Sequence, residues 1–359
     1  MWTPNDLNEV VTVFFKVWTY FGLPVYKLEI TNKTEKRFQN QTSFHFLVIL
    51  SMLLTSIVLF LVFFPQQNTL YNYTLLFQYF IIHGQSIGNI IYSQMKKKDL
   101  EIIFNDLLLM EEKVRQFGKI KTNYHTLGKQ IMGFVMFHFF FTFMTIIFDI
   151  YYLGIGSTSF QIYISGYYFG LLSTYPFGYF LLAMPKIILK FYNDFINSIN
   201  DQTTENIFKM YTELYDLAGK VFKSFQGFLL LKISTTFTIA TINLFYSTYI
   251  INMDKIPFVD EVLMILDNVF LEITTLLLDF MLFYYFHMIL EKKKNLSNFI
   301  NDTNLYKKVD LVYLKFNLEP PSFMVYGLFP LNCSLVFSMI VGITTYVIYL
   351  IQFSPKSPF

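Results

Sequence analysis

The chain alternates between long apolar runs and stretches rich in polar and charged residues. A hydrocarbon core of about 30 Å requires roughly 20 apolar residues in a helix. Seven runs reach that length, and they predict an all-α membrane protein with seven transmembrane helices. The runs are Phe44–Phe64, Leu70–Tyr92, Ile131–Leu153, Tyr163–Leu189, Phe228–Ile251, Val262–Met288 and Leu331–Phe353.

A shorter apolar stretch, Val10–Leu23, precedes the first span. It is interrupted by Lys16 and is too short to cross a bilayer. We expect it either to lie at the membrane interface or to pack on the helical bundle.

The composition supports a membrane protein. Apolar residues make up 54% of the 359 positions and charged residues 14%, against roughly 45–50% and 25% in soluble domains. The formal net charge is +2, so no nucleic-acid partner is predicted. The one cysteine, Cys333, excludes a disulfide within the chain and a thiolate metal site. No cofactor and no metal site are predicted.

The lysines and arginines predict the orientation of the chain. Of the 27 basic residues, 24 fall in segments 1–43, 93–130, 186–227 and 289–322. These segments alternate with the spans so that all four lie on one side of the membrane. Because basic loops are retained in the cytoplasm, we expect a cytoplasmic N-terminus and an extracellular C-terminus.

The cytoplasmic connections are long and the external ones short. The connection Phe191–Lys223 has apolar residues at helical spacing, which indicates that the spanning helices continue below the membrane. We therefore divide the chain into a cytoplasmic N-terminal segment (1–43), six transmembrane helices with long cytoplasmic loops (44–288), a cytoplasmic anchor segment (289–327), and a seventh helix with a short extracellular tail (328–359).

Several classes of membrane protein and enzyme fit poorly. A G-protein-coupled receptor, which remains an alternative for signalling, would place its N-terminus outside the cell. Secondary transporters usually show inverted repeats, and no such repeat is visible here. The chain contains no Gly-rich phosphate loop, no His-Glu-x-x-His and no Gly-x-Ser-x-Gly. An enzyme is therefore not predicted.

The last span carries a recognisable motif. It reads Thr345-Tyr346-Val347-Ile348-Tyr349-Leu350-Ile351-Gln352-Phe353. This resembles the signature of insect gustatory receptors, which is Thr-Tyr, five hydrophobic residues and Gln-Phe. The lead-in Phe329–Leu335 is also similar to the start of that helix in the family. Insect odorant receptors share the architecture without the signature, and they are the second interpretation.

The resemblance implies a ligand-gated, non-selective cation channel that is a homotetramer or a heterotetramer with related receptors. It implies a multi-pass protein of the sensory-neuron plasma membrane, in contact with membrane lipid, and a pore lined by the seventh helix. The chain's own pattern agrees, because one helical face carries polar residues on an otherwise apolar segment. The residues of this face are Ser334, Ser338, Val341, Thr345, Ile348 and Gln352. A helix–helix contact built from small residues is the alternative.

A second polar face lies on the sixth span and includes Asn268, Glu272 and Asp279. Charged groups at this depth normally face a cavity or a partner. We expect Asn268 and Glu272 to contribute to a ligand pocket in the outer half of the bundle, or to an interhelical hydrogen-bond network. The aromatic and polar residues at a similar depth are Tyr151, Tyr167, Tyr168, Asn243 and Tyr246. The ligand is expected to be a bitter compound or another small organic tastant.

Lys232 enters the fifth span at the same depth as Asp279 in the sixth. Each charge alone is costly inside a membrane, so the two are predicted to form an ion pair. The alternative is that Lys232 extends towards the inner headgroups.

Overall fold

The computed structural model describes residues 4–31, 35–41, 44–63, 70–118, 124–153, 158–199, 204–251, 275–292 and 323–353. Helices dominate these residues. They are α1 (Leu7–Tyr20), α2 (His45–Phe63), α3 (Leu70–Met95), α4 (Lys97–Gly118), α5 (His125–Leu153), α6 (Thr158–Asn197), α7 (Thr204–Ile251), α8 (275–292) and α9 (Cys333–Phe353).

The apolar runs predicted as spans correspond to helices. Among the described residues, α2, α5, α6, α7 and α9 each contain a segment that is long and apolar enough to cross a membrane. The second predicted span is helical as α3 but is more polar. The sixth is described only from residue 275 onward, as α8.

Helices α6 and α7 extend far beyond a single span. They contain 40 and 48 residues, so they continue past the apolar runs as the sequence predicts. Two ion pairs join α4 to the extended part of α7. Lys113 Nζ lies 2.7 Å from Glu213 Oε2, and Lys220 Nζ lies 2.9 Å from Asp106 Oδ2.

The short apolar stretch near the N-terminus packs on the bundle. Its helix, α1, is capped by Asp6, which accepts a 2.8 Å hydrogen bond from the Glu9 amide. Trp18 is fully buried, and its ring centroid lies 5.6 Å from Phe177 and 4.4 Å from Phe180, both in α6. Of the two alternatives, packing on the bundle is therefore the one observed.

A β-hairpin, which was not predicted from the sequence, follows α1. Strands β1 (Val25–Thr31) and β2 (Glu35–Gln41) pair antiparallel. Asn105 of α4 fixes the hairpin: its side chain accepts from the Phe38 amide at 2.7 Å and donates to the Phe38 carbonyl at 3.1 Å. Tyr26 donates to the Lys97 carbonyl at 2.8 Å, and burial raises the pKa of its hydroxyl far above the usual value.

The buried apolar residues form one large core and one small separate cluster. The large core joins α1 to α8, and it includes Leu331, which lies just before α9, and Met339 of α9. The small cluster is formed by Ala240 and Phe245 of α7 with Ile343 and Val347 of α9. The later half of α9 therefore packs on α7 outside the main core.

Candidate pore helix and intramembrane polar site

The start of α9 is fixed by a short hairpin and a cap. Strands β3 (Met324–Val325) and β4 (Phe329–Pro330) pair around a turn at Tyr326 and Gly327, whose φ angles are 47° and 72°. The Asn332 side chain then accepts a 3.3 Å hydrogen bond from the Leu335 amide, as an N-cap does. Gln226 of α7 donates to the Met324 carbonyl at 3.0 Å, which attaches the hairpin to the bundle.

The predicted pore face is exposed along its whole described length. Its residues are Ser334, Ser338, Val341, Thr345, Ile348 and Gln352, and all six are exposed. Met339, Ile343 and Val347 are buried and point the opposite way, because successive residues turn by about 100°. The side chain of Phe353 lies outside the described residues.

Exposure on α9 is not restricted to the polar residues. Phe337, Ile340 and Tyr349 are also exposed, as lipid-facing residues of a single chain would be. The hydroxyls of Ser338 and Thr345 donate to the carbonyls of Ser334 and Val341, at 3.1 and 2.8 Å. The pore-lining role therefore stays a prediction.

One glycine sets the distance between α9 and α7. A Cβ added to Gly342 would lie 3.1 Å from Cε2 and 3.4 Å from Cζ of Phe237. The same phenyl ring meets the ring of Tyr346 edge-on, with centroids 6.0 Å apart. Phe237 is thus the α7 side chain on which both a small residue and a motif tyrosine of α9 pack.

Beside this contact lies a groove of about 600 Å³ between α3, α7 and α9. Its lining is almost entirely apolar and includes Phe77, Phe80 and Phe245. Tyr346 and Leu350 of the last helix form one wall.

The predicted ligand-pocket residues are described only in part. Tyr167 and Tyr168 are buried in α6, and their ring centroids lie 5.4 Å apart. Asn243 is buried in α7 and accepts a hydrogen bond from the Gln78 side chain of α3. The side chains of Tyr151 and Tyr246, and all of Asn268 and Glu272, lie outside the described residues. The pocket therefore remains a prediction.

The predicted ion pair is present. Lys232 Nζ lies 2.7 Å from Asp279 Oδ1, with 11% and 3% of the two side chains exposed. The carboxylate accepts no hydrogen bond of regular geometry from the described residues. The pair joins α7 to α8, and the alternative in which Lys232 extends to the headgroups is not observed.

A cavity of about 40 Å³ with polar and apolar lining residues adjoins Lys232 of this pair. Gln85, Asn89, Thr235 and Thr236 line it together with Lys232. These four residues were not among the site residues predicted from the sequence. The sequence does contain a pattern that indicates a polar helix face here. Gln78, Gln85 and Asn89 are spaced 7 and 4 residues apart, so they share one face of α3.

A second buried lysine was also missed. Lys186 of α6 donates to Gln130 Oε1 at 3.0 Å. Its ammonium lies 4.6 Å from the ring centroid of Tyr285 and 5.4 Å from that of Phe134, distances at which a cation is attracted to an aromatic face.

Comparisons with known proteins identify the family to which the chain belongs. The sequence profile described as "7tm Chemosensory receptor" matches residues 12–357. The chain belongs to this chemosensory receptor family. The family comprises the insect gustatory and olfactory receptors, which are receptors and not enzymes.

Two solved structures show the same fold. The insect olfactory receptor OR5 from Machilis hrabei aligns with a TM-score of 0.67 at 12% identity, covering 96% of this chain and 98% of that chain. The same receptor in complex with eugenol aligns with a TM-score of 0.68 at 12% identity and equal coverage. No curated protein sequence matches the chain. This chemosensory receptor therefore has the multi-pass helical fold of an insect olfactory receptor.

Proposed function

We propose that the chain is a gustatory receptor that acts as a ligand-gated, non-selective cation channel. The observation that carries the proposal is the polar face of α9, which is exposed and lies opposite the face that packs on α7. A helix that lines a pore must leave one face free of its own subunit and offer polar groups to water and ions. The Thr-Tyr…Gln-Phe motif on the same helix favours the gustatory branch.

The proposed assembly is a tetramer with four copies of α9 around a central pore. The partners are identical chains or related receptors, and membrane lipid surrounds them. The N-terminus lies in the cytoplasm and the C-terminus outside, in the plasma membrane of sensory neurons. The tastant, a bitter compound or another small organic molecule, binds among the outer ends of α3, α6, α7 and the sixth span.

Cysteine accessibility tests the pore role. In a Cys333→Ser background, which removes the native thiol, single cysteines are placed at Thr345 and Ile348. Ile340→Cys is the matched control, because Ile340 is also exposed but is turned about 140° from Thr345 around the helix. A charged thiol reagent is expected to block agonist-evoked current at the first two positions and to leave the control unchanged. Equal effects at all three positions would contradict the pore assignment.

An odorant-type ligand is the second candidate, since the fold matches a receptor solved with eugenol. Recording from cells that express the full chain, alone and with related receptors, separates the two. The panel should contain bitter tastants and volatile phenols, including eugenol. A gustatory receptor is expected to respond to the tastants at lower concentrations than to the volatiles.

A further inference from the structure

The cavity beside Lys232 and Asp279 lies apart from the predicted ligand pocket. Lys232 and Asn243 are 11 residues apart on α7, which is about 16 Å along a helix axis. Residues from α3, α5, α6, α7 and α8 line the cavity. It is therefore an internal site of the bundle, enclosed by five helices.

The cavity wall contains four polar side chains that make no hydrogen bond to other described residues. Gln85, Asn89, Thr235 and Thr236 are 9%, 4%, 6% and 6% exposed. None of the four side chains makes a hydrogen bond within the described part of the chain. Buried polar groups almost always have a partner, and leaving one without a partner is destabilising.

Neighbouring residues show that partners within the bundle are available to similar side chains. Thr238 and Thr241, also in α7, donate to the carbonyls of Ser234 and Phe237 at 2.8 Å. Gln78, two turns before Gln85 in α3, donates to Asn243. Similar side chains on the same two helices therefore find partners in the bundle, whereas these four face the cavity. Unpartnered buried polar atoms also occur away from the cavity, among them Nε1 of Trp18 and Nε2 of His83.

The size and charge of the cavity select the ligand. One water molecule needs about 10–15 Å³ of such volume, so about 40 Å³ holds about three. An organic ligand needs a pocket of about 300–1,000 Å³. A metal cation is disfavoured because the ammonium of Lys232 already lies 2.7 Å from the carboxylate of Asp279.

We propose that this cavity binds a cluster of about three water molecules. The cluster accepts from the remaining protons of Lys232, which lines the cavity. It also pairs with the amides of Gln85 and Asn89 and with the hydroxyls of Thr235 and Thr236. The cluster hydrates the ion pair inside the membrane and links α3, α7 and α8. This site is independent of which ligand opens the channel.

High-resolution electron cryo-microscopy of the assembled full-length receptor tests the site directly. In a map that resolves ordered water elsewhere, discrete peaks are expected within hydrogen-bonding distance of Asn89, Thr236 and Lys232, which line the cavity. Continuous density of an organic molecule or a lipid tail would overturn the proposal. So would the lack of any peak in the cavity of such a map.

Substitutions test the energetics of the cluster. Thr236→Val keeps the volume and removes the hydroxyl, and it is expected to lower the melting temperature of the solubilised receptor by a few degrees. Thr238→Val is the control, because that hydroxyl bonds only to its own helix, and a smaller decrease is expected. An equal or smaller loss in Thr236→Val than in the control would overturn the water cluster.

A substitution that fills the cavity provides an independent test, because the direction of the change in melting temperature depends on whether water is bound. Thr236→Leu inserts apolar volume into the cavity. If water is bound there, displacing it leaves polar groups unpaired, and the melting temperature should fall further than in Thr236→Val. If the cavity is dry, added contacts should raise the melting temperature above that of Thr236→Val, and that result would reject the proposal.

Discussion

Lys232 and Asp279 form an ion pair at 2.7 Å in which both side chains are almost completely buried. Lys232 belongs to α7, the helix on which the last helix packs, and Asp279 belongs to α8, which continues the span of the predicted ligand residues. The pair therefore connects the helix next to the candidate pore with the helix next to the candidate ligand pocket.

Removing either charge of this pair should abolish folding. Lys232→Met or Asp279→Leu leaves one unpaired charge in a low-dielectric interior, at a cost of about 3–5 kcal/mol. The double substitution Lys232→Met/Asp279→Leu and the swap Lys232→Asp/Asp279→Lys should each recover much of the surface expression. Surface labelling of intact cells and size-exclusion profiles of the solubilised protein measure this. A double variant no better than the worse single variant would show that the charges do not interact.

Gly342→Ala should loosen the contact between α9 and α7. The new methyl would meet the ring of Phe237 at 3.1 Å, and such overpacking costs about 1–3 kcal/mol. Phe237→Leu in the same chain should restore the lost thermal stability. Gly133→Ala is the control, because nothing lies within 4 Å of a Cβ at that position and alanine favours a helix. Equal melting temperatures for the two alanine variants would contradict the close approach.

Gln352 and Phe353 should affect gating in opposite directions. Gln352 lies on the exposed polar face, and the next residue is turned about 100° from it. A small rotation of α9 would exchange an apolar ring for an amide at the external mouth and so rewet a closed constriction. Phe353→Ala should increase ligand-independent current, and Gln352→Ala should reduce ligand-evoked current at normal surface expression. Single-channel recording checks both; unchanged open probability with reduced assembly would instead indicate a packing role.

The orientation of the chain can be tested with epitope tags. Because 24 of 27 basic residues lie on one predicted side, a tag before residue 1 should be inaccessible to antibody in intact cells. A tag after Phe359 should be accessible. Permeabilised cells, in which both tags should be stained, are the control. Staining of the N-terminal tag in intact cells would reverse the topology and remove the argument for the channel.

The N-terminal helix should contribute strongly to stability. Trp18 is fully buried against α6, and replacing such a side chain by alanine costs about 3–5 kcal/mol. Tyr20, on the same helix, is 76% exposed, so Tyr20→Ala should change stability by less than about 0.5 kcal/mol. Thermal unfolding of the solubilised full-length protein measures both. Similar losses in the two variants would indicate that α1 is not docked as described.

Much of the fold was predictable because each span has a simple length requirement. Runs of about 20 apolar residues predict helices from their sequence alone, and α2, α5, α6, α7 and α9 follow. The extension of α6 and α7 was also visible in the apolar periodicity of Phe191–Lys223. The Lys232–Asp279 pair was predictable because an isolated charge in the membrane requires a partner at its own depth.

Other features depend on contacts between distant segments. The strand Glu35–Gln41 is highly polar, and it is held by Asn105, which lies 67 residues away from Phe38. The docking of α1 depends on rings from α4 and α6. Residues from five helices line the cavity. The spacing of polar residues on α3 therefore predicts a polar helix face but not which residues that face contacts. The pore face and the ligand pocket remain predictions. The proposed pore requires neighbouring copies of the chain, and two of the predicted pocket residues, Asn268 and Glu272, lie outside the described residues.

Among the described residues, the later half of α9 packs on α7 through a cluster of four buried residues, against which Phe237 also packs. A small organic molecule contributes only about 0.3–1.5 kcal/mol of binding free energy per non-hydrogen atom. It shifts a conformational equilibrium only by the difference in its affinity for the two states. Rearranging a few contacts on α7 falls within that range, whereas disrupting the main core would exceed it. In the proposed channel, the packing of α9 on α7 would therefore allow a small molecule to supply the free energy that moves this helix.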